Sequence, residues 1–200
     1  MAVRTTRRAD AQRNVNAILD AAQDRLVRDP DASVAEIAQA AGVGRVTLYG
    51  HFKTRAELVE AVFARVVTDA NAALDAADTT GHPRDALARL VAATWQIVDQ
   101  SRGMLRAAEQ ELPPEVIRGH HDRHLRRLAT LIGRGQRSGE FRTDLPRDWL
   151  VATAYSTMHA AAADCAAGRL DPADAARIIT ATLLAAYTSP GQTVPQGSPA

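Results

Sequence analysis

Alanine fills 41 of the chain's 200 positions, while phenylalanine, tyrosine and tryptophan together fill 8. This imbalance constrains the fold more than any other feature. Alanine loses no side-chain entropy in a helix, and the β-branched and aromatic residues that favour strands are scarce. The expectation is an all-α chain. The nine prolines and the glycine-containing turns then cut it into blocks of helix length. With 46% hydrophobic and 24% charged residues, the chain has enough apolar surface to bury a core.

The blocks read in order as follows. Residues 1–13 carry Arg4, Arg7, Arg8 and Arg13 against Asp10. Without an apolar period at the start, they predict a flexible basic arm. Val15, Ile18, Leu19, Ala22 and Leu26 then line one face of a helix stopped at Asp29-Pro30. Ser33 followed by Glu36 has the form of a capping box, and it opens a short helix whose inner face is Val34, Ile37, Ala38 and Ala41. Gly42 fits just past its end. A second short helix follows from Arg45, and Thr54 with Glu57 predicts another capping box, launching a helix to about Ala77. Further helices are expected from Pro83 to Ser101, Gly103 to Leu112, Glu115 to Arg137, Pro146 to Ala167 and Pro172 to Tyr187. Residues 189–200, rich in proline, glycine and polar residues, predict a disordered tail.

The segment Ser33–Phe52 has the layout of a helix-turn-helix. Its first helix is held by an apolar face, and Val43 and Leu48 fix the underside of the second. That leaves Arg45, Val46, Thr47, Tyr49 and His51 facing outward. From Gly42 to Arg55 there are three cations (Arg45, Lys53 and Arg55) and no acid, although the whole chain nets only +1. Such a local cluster suits phosphate contact. Hydroxyls of Thr47 and Tyr49 can donate to phosphate, and the methyls of Val46 and Thr47 can meet thymine. Lys53, the chain's single lysine, precedes a helix N-terminus, where charge and dipole favour an anion.

The longer string GVGRVTLYGHFKTRAEL, about 40 residues into the chain, resembles the TetR family of bacterial transcriptional regulators. The matching residues are the Gly42-Val43 turn, Thr47-Leu48-Tyr49, His51-Phe52, Lys53 and the helix carrying Leu58. Two positions depart from the family pattern: Gly50 stands where it usually has a larger residue, and Gly44 where it often has a serine cap. The resemblance implies an N-terminal three-helix helix-turn-helix DNA-binding domain (residues 14–53). A larger helical ligand-binding and dimerisation domain follows (residues 54–188). It also implies a homodimer on a pseudo-palindromic double-stranded DNA operator, released by an unknown small-molecule effector. The DNA-contact candidates are then Ser33, Arg45, Val46, Thr47, Tyr49, His51 and Lys53, with Arg7 and Arg8 of the arm.

For an effector pocket, Trp95, Met104, Glu109, Tyr155, Met158 and His159 combine apolar bulk with polar tips. The small-residue faces Leu150/Ala154/Thr157/Ala161 and Ile178/Ala181/Thr182/Ala185 suit a four-helix interface between two copies. Other constellations point nowhere specific. His120 and His124 are spaced to share a helix face, but no third ligand accompanies them, so a solvated arginine-rich surface is the better reading. No catalytic constellation, metal site or cofactor is expected, and the chain reads as a non-enzyme. The one cysteine, Cys165, fits a small buried position in a reducing compartment. No run of 18 apolar residues free of charge and no apolar signal segment is present, which predicts a cytoplasmic protein without a membrane partner. The alternatives are a helical protein-interaction or small-molecule-binding protein that does not use its helix-turn-helix on DNA, and, with less to support it, an enzyme on a helical scaffold.

Overall fold

A computed structural model describes the backbone from Ala2 to Ser189 and side chains from Ala11 onward. Among the described residues there are ten α-helices and no strand. They are α1 (Ala2–Arg28), α2 (Val34–Ala40), α3 (Arg45–His51), α4 (Arg55–Asp75), α5 (Pro83–Gln100), α6 (Arg102–Glu111), α7 (Pro114–His120), α8 (Asp122–Arg137), α9 (Arg147–Ala166) and α10 (Pro172–Tyr187).

Two of these elements differ from expectation. The stretch expected as a flexible arm is helical from Ala2. It lacks an apolar face, but Ala2, Arg4, Arg7, Arg8, Ala9, Ala11 and Gln12 are strong helix formers, and adding them to an existing helix needs no new nucleus. The helix expected over 115–137 is two helices, broken at His121. The expected tail falls, from residue 190, outside the described residues.

The described residues form two compact units, residues 2–69 with 100–120 and residues 70–99 with 121–189. The N-terminal unit therefore holds more than the expected residues 14–53: most of α4 and all of α6 and α7 belong to it. Its core joins Ile18, Ala22 and Leu26 of α1 to Ile37, Leu48, Leu58 and Val62, and adds Met104, Ala107 and Ala108 from α6. Gly103 explains how α6 approaches so closely, since a Cβ there would overlap the carbonyls of Leu26 and Val27.

The C-terminal unit packs α8 and α10 on α9. Phe141 lies directly over Gly135, whose missing side chain makes room for the ring. Tyr187 meets Phe141 edge to face at 5.7 Å, and its hydroxyl donates to the Leu150 carbonyl at 2.6 Å. Burial pushes the Tyr187 phenol well above its ordinary value, so it stays a donor at any physiological pH. Cys165 is buried on α9, as its alanine-rich setting suggested.

Candidate nucleic-acid interface and effector cavity

Local chemistry builds the helix-turn-helix. Ser33, extended at φ −74°, ψ 155°, caps α2 by accepting from the Glu36 N–H at 3.3 Å. The Glu36 carboxylate in turn accepts from the Ser33 N–H at 2.8 Å and from its hydroxyl at 2.7 Å. Those bonds hold the Glu36 carboxyl below the usual carboxylate range. At the other end, Gly42 takes φ +67°. Its N–H donates to Gln39 O and the Val43 N–H to Ala38 O, the pair of bonds that closes a Schellman turn. Helix α2 is thus fixed at both ends by residues whose identity dictates it, whereas α3 starts at Gly44 without a side-chain cap.

Leu48 is fully buried and anchors α3 from beneath. Arg45, Val46 (88% exposed), Thr47 and Tyr49 (43% exposed) face solvent, Lys53 is exposed, and His51 is half-buried. Ser33 is exposed too, with its hydroxyl proton already committed to Glu36. The side chains of Arg7 and Arg8 lie outside the described residues.

The cationic patch is smaller than the sequence suggested. Arg55 is a structural clamp: its Nε donates to Glu111 at 2.8 Å, Nη2 to Pro30 O at 2.7 Å and Nη1 to Ala32 O. The α4 cap also departs from a strict capping box. Thr54 Oγ1 accepts from the Glu57 N–H at 3.1 Å, but the Glu57 carboxylate takes the N–H of Lys53 at 2.7 Å, one residue further out. A phosphate at this helix start is therefore left with the Lys53 ammonium and not with its backbone N–H.

A cavity of about 60 Å³ opens in the C-terminal unit. Tyr155, Met158 and His159 line it, together with His121, His124 and a wall of leucine, valine and alanine. Tyr155 and His159 pack against each other with ring centroids 4.2 Å apart and planes tilted by 41°, and His121 stands edge-on to both, at 5.7 and 5.8 Å. Burial, with His121 and Arg127 nearby, pulls the His124 imidazole down to about 4.

Three residues expected at a pocket are elsewhere. Trp95 is a core residue of the same unit, and its indole N–H is used on Pro172 O at 3.0 Å. Met104 is fully buried in the N-terminal unit's core, and Glu109 is exposed on α6 of that unit. Their helix belongs to a different unit from the cavity, which sequence spacing does not reveal. His121 and His124 were missed, though their spacing of three on one helix start was a readable signal. His120 does not share a helix with His124: it meets Phe63 edge-on at 5.6 Å and Glu60 at 3.5 Å in the N-terminal unit. Among the described residues no group of three or more histidine, cysteine, aspartate or glutamate side chains is arranged to hold a metal ion.

With this geometry in hand, comparison with known proteins is direct. Residues 18–62 match the profile of the bacterial regulatory proteins of the tetR family. That stretch runs from within α1 through α2 and α3 into α4, the segment that holds the helix-turn-helix. Over 80 residues the chain is 42% identical to the HTH-type transcriptional repressor LfrR of Mycolicibacterium smegmatis, a stretch covering 40% of this chain and 42% of that protein. The match thus spans less than half the length of that relative. In three dimensions the likeness extends further. The structure of LfrR in complex with proflavine superposes with TM-score 0.64 at 26% identity, covering 89% of this chain and 98% of that one. A protein of unknown function from Rhodococcus sp. RHA1 gives TM-score 0.70 at 20% identity, over 88% and 96% of the two chains. A TetR family transcription regulator from Marinobacter aquaeolei VT8 gives 0.64 at 20%, over 90% and 98%. The last two establish a shared fold.

The two helix faces expected at a dimer interface fare differently. Ile178, Ala181, Thr182 and Ala185 of α10 are exposed. On α9, Leu150, Ala154 and Ala161 are buried inside their own unit, and Thr157 is half-buried with its hydroxyl on Thr153 O. A residue packed in its own core is not available to a partner. The exposed line of α9 runs instead through Trp149, Ser156, Ala160 and Ala163.

Proposed function

We propose that the chain is a sequence-specific DNA-binding transcriptional regulator, a repressor that leaves its operator when a small molecule binds. The observation that carries this reading is the frame of α2 and α3. Leu48 is locked beneath while Arg45, Val46, Thr47, Tyr49 and Lys53 stand exposed above, with no acid from Gly42 to Arg55. Arg45 and Lys53 neutralise phosphates, and Tyr49 adds a hydroxyl donor. Val46 and Thr47 are the short, partly apolar side chains that touch base edges in a major groove.

One such helix reads a few base pairs. The working form in this reading is a homodimer whose two α3 helices enter successive major grooves about 34–36 Å apart on a pseudo-palindromic operator. An effector then acts by preferring a dimer with another spacing, and it weakens DNA binding by no more than its preference for that state. The solved complex of LfrR with proflavine supports a small-molecule effector here. The C-terminal cavity is the place for it, and we assign no catalytic role to the chain. No helix among the described residues is long and apolar enough to cross a membrane, and the setting we infer is the bacterial cytoplasm.

Titrating the whole chain against a duplex of random sequence over a salt series tests the phosphate part of this reading. Affinity falling linearly with the logarithm of salt concentration is the expected result. Salt-independent retention, or none at any salt, contradicts it.

A further inference from the structure

The lining of the C-terminal cavity specifies the kind of molecule it takes. Among the described residues that line it there is no aspartate, glutamate, lysine or arginine. An ion entering such a space gives up its hydration and meets no opposite charge. The walls are Leu90, Val91, Leu128, Ala154, Met158 and Leu183, which favour an apolar body. One side is a shelf of rings, the tilted Tyr155–His159 pair with His121 edge-on, and aromatic rings pack favourably in offset or edge-on arrangements.

Among the polar residues of the lining, Thr94, His121, Tyr155, His159 and His124, the last carries an unsatisfied atom. Nδ1 of His124 is buried and has no hydrogen-bond partner in the structure. Buried polar atoms are nearly always paired, so an orphan beside a cavity calls for an explanation. A ligand hydroxyl supplies one, because a hydroxyl both donates and accepts and so satisfies either tautomer of a neutral imidazole.

We propose that this cavity binds an uncharged aromatic molecule bearing a hydroxyl group, with its ring against the His121–Tyr155–His159 shelf and its hydroxyl on Nδ1 of His124. The proposal rests on reading the cavity as the effector site and narrows the effector to a phenol-like class. At about 60 Å³ the cavity is smaller than the roughly 150 Å³ that accommodates a benzene ring. The ring therefore enters as the wall yields. Met158, unbranched and rich in rotamers, is the wall residue best able to move. A ligand that fits only after the wall has moved binds one state of the unit in preference to another, which is what an effector requires.

Four probes of one shape separate the determinants: 1-naphthol, naphthalene, 1-naphthoate and 1-naphthylmethylammonium. Each is titrated calorimetrically into the full chain at pH 7.5, without DNA. The expected result is that 1-naphthol binds at least tenfold more tightly than either ion and several-fold more tightly than naphthalene. His124→Leu, with its fold checked by circular dichroism, should remove the advantage of naphthol over naphthalene while leaving naphthalene binding in place. Equal or tighter binding of either ion overturns the proposal, as does no binding of any of the four. A naphthol advantage that survives His124→Leu also overturns it. Because no DNA is present, the regulator reading fails separately, through the duplex titration above.

Discussion

Lys53 and Thr47 are both exposed, yet they ask different things of DNA. A lysine ammonium meets any phosphate, so Lys53→Ala should weaken binding to all duplexes alike and flatten the salt slope by about 1, read by fluorescence anisotropy across a salt series. Thr47→Ala should alter the preference among sites instead, and equal loss on every sequence would remove it from the base-reading set. Gly50 sits in α3 with open space where a Cβ would be. Gly50→Ala should stabilise the unit by about 0.5–1 kcal/mol in urea unfolding, because alanine loses less backbone entropy in a helix. His124 sets a pH dependence. Its ordinary value of 6.5 falls to about 4 in the fold, so the unfolded chain takes up a proton that the native state refuses. The stability it contributes is whole above pH 6.5 and is lost as pH falls toward 4, by about 2 kcal/mol at pH 5. Urea unfolding at pH 7 and pH 5 should show that loss in the wild type and not in His124→Leu. At this scale the sequence revealed types but not partners. Lys53 and Arg55 look alike in the string, and only the fold shows that Arg55 is claimed by Glu111, 56 residues away.

Elements were legible where their signals are local. The Ser33–Glu36 box and the Gly42 turn depend on residues within a few positions, and each forms as its residue types dictate. The break at His121 was not legible, because it separates elements of two units and no proline marks it. The close seat of α6 on α1 is likewise a tertiary fact: Gly103 reads as an ordinary helix-start glycine until Leu26 and Val27 are seen beside it. Gly103→Ala should push the two helices apart and destabilise the N-terminal unit by about 1–3 kcal/mol, the usual range for overpacking, in urea unfolding. Gly119→Ala, with nothing near its added Cβ, is the control and should show no such loss.

For the whole molecule, the helical class was readable from composition and the likeness to the tetR regulators from about a quarter of the chain, while the partner surface was half misread. Alanine-rich α9 offers similar small residues on several faces, so composition could not say which face its own core would take. The exposed α10 line of Ile178, Ala181, Thr182 and Ala185 remains the surface through which we expect a second copy to bind. Ala181→Arg should give monomers by analytical ultracentrifugation and lower affinity for a two-half-site duplex far more than for a single half-site. The central claim, a dimeric sequence reader, is tested most directly by selecting bound duplexes from a random pool at two salt concentrations. A palindrome with half-sites about one helical turn apart, retained at the higher salt, is the predicted result. A pool that enriches no sequence at either concentration would contradict the account.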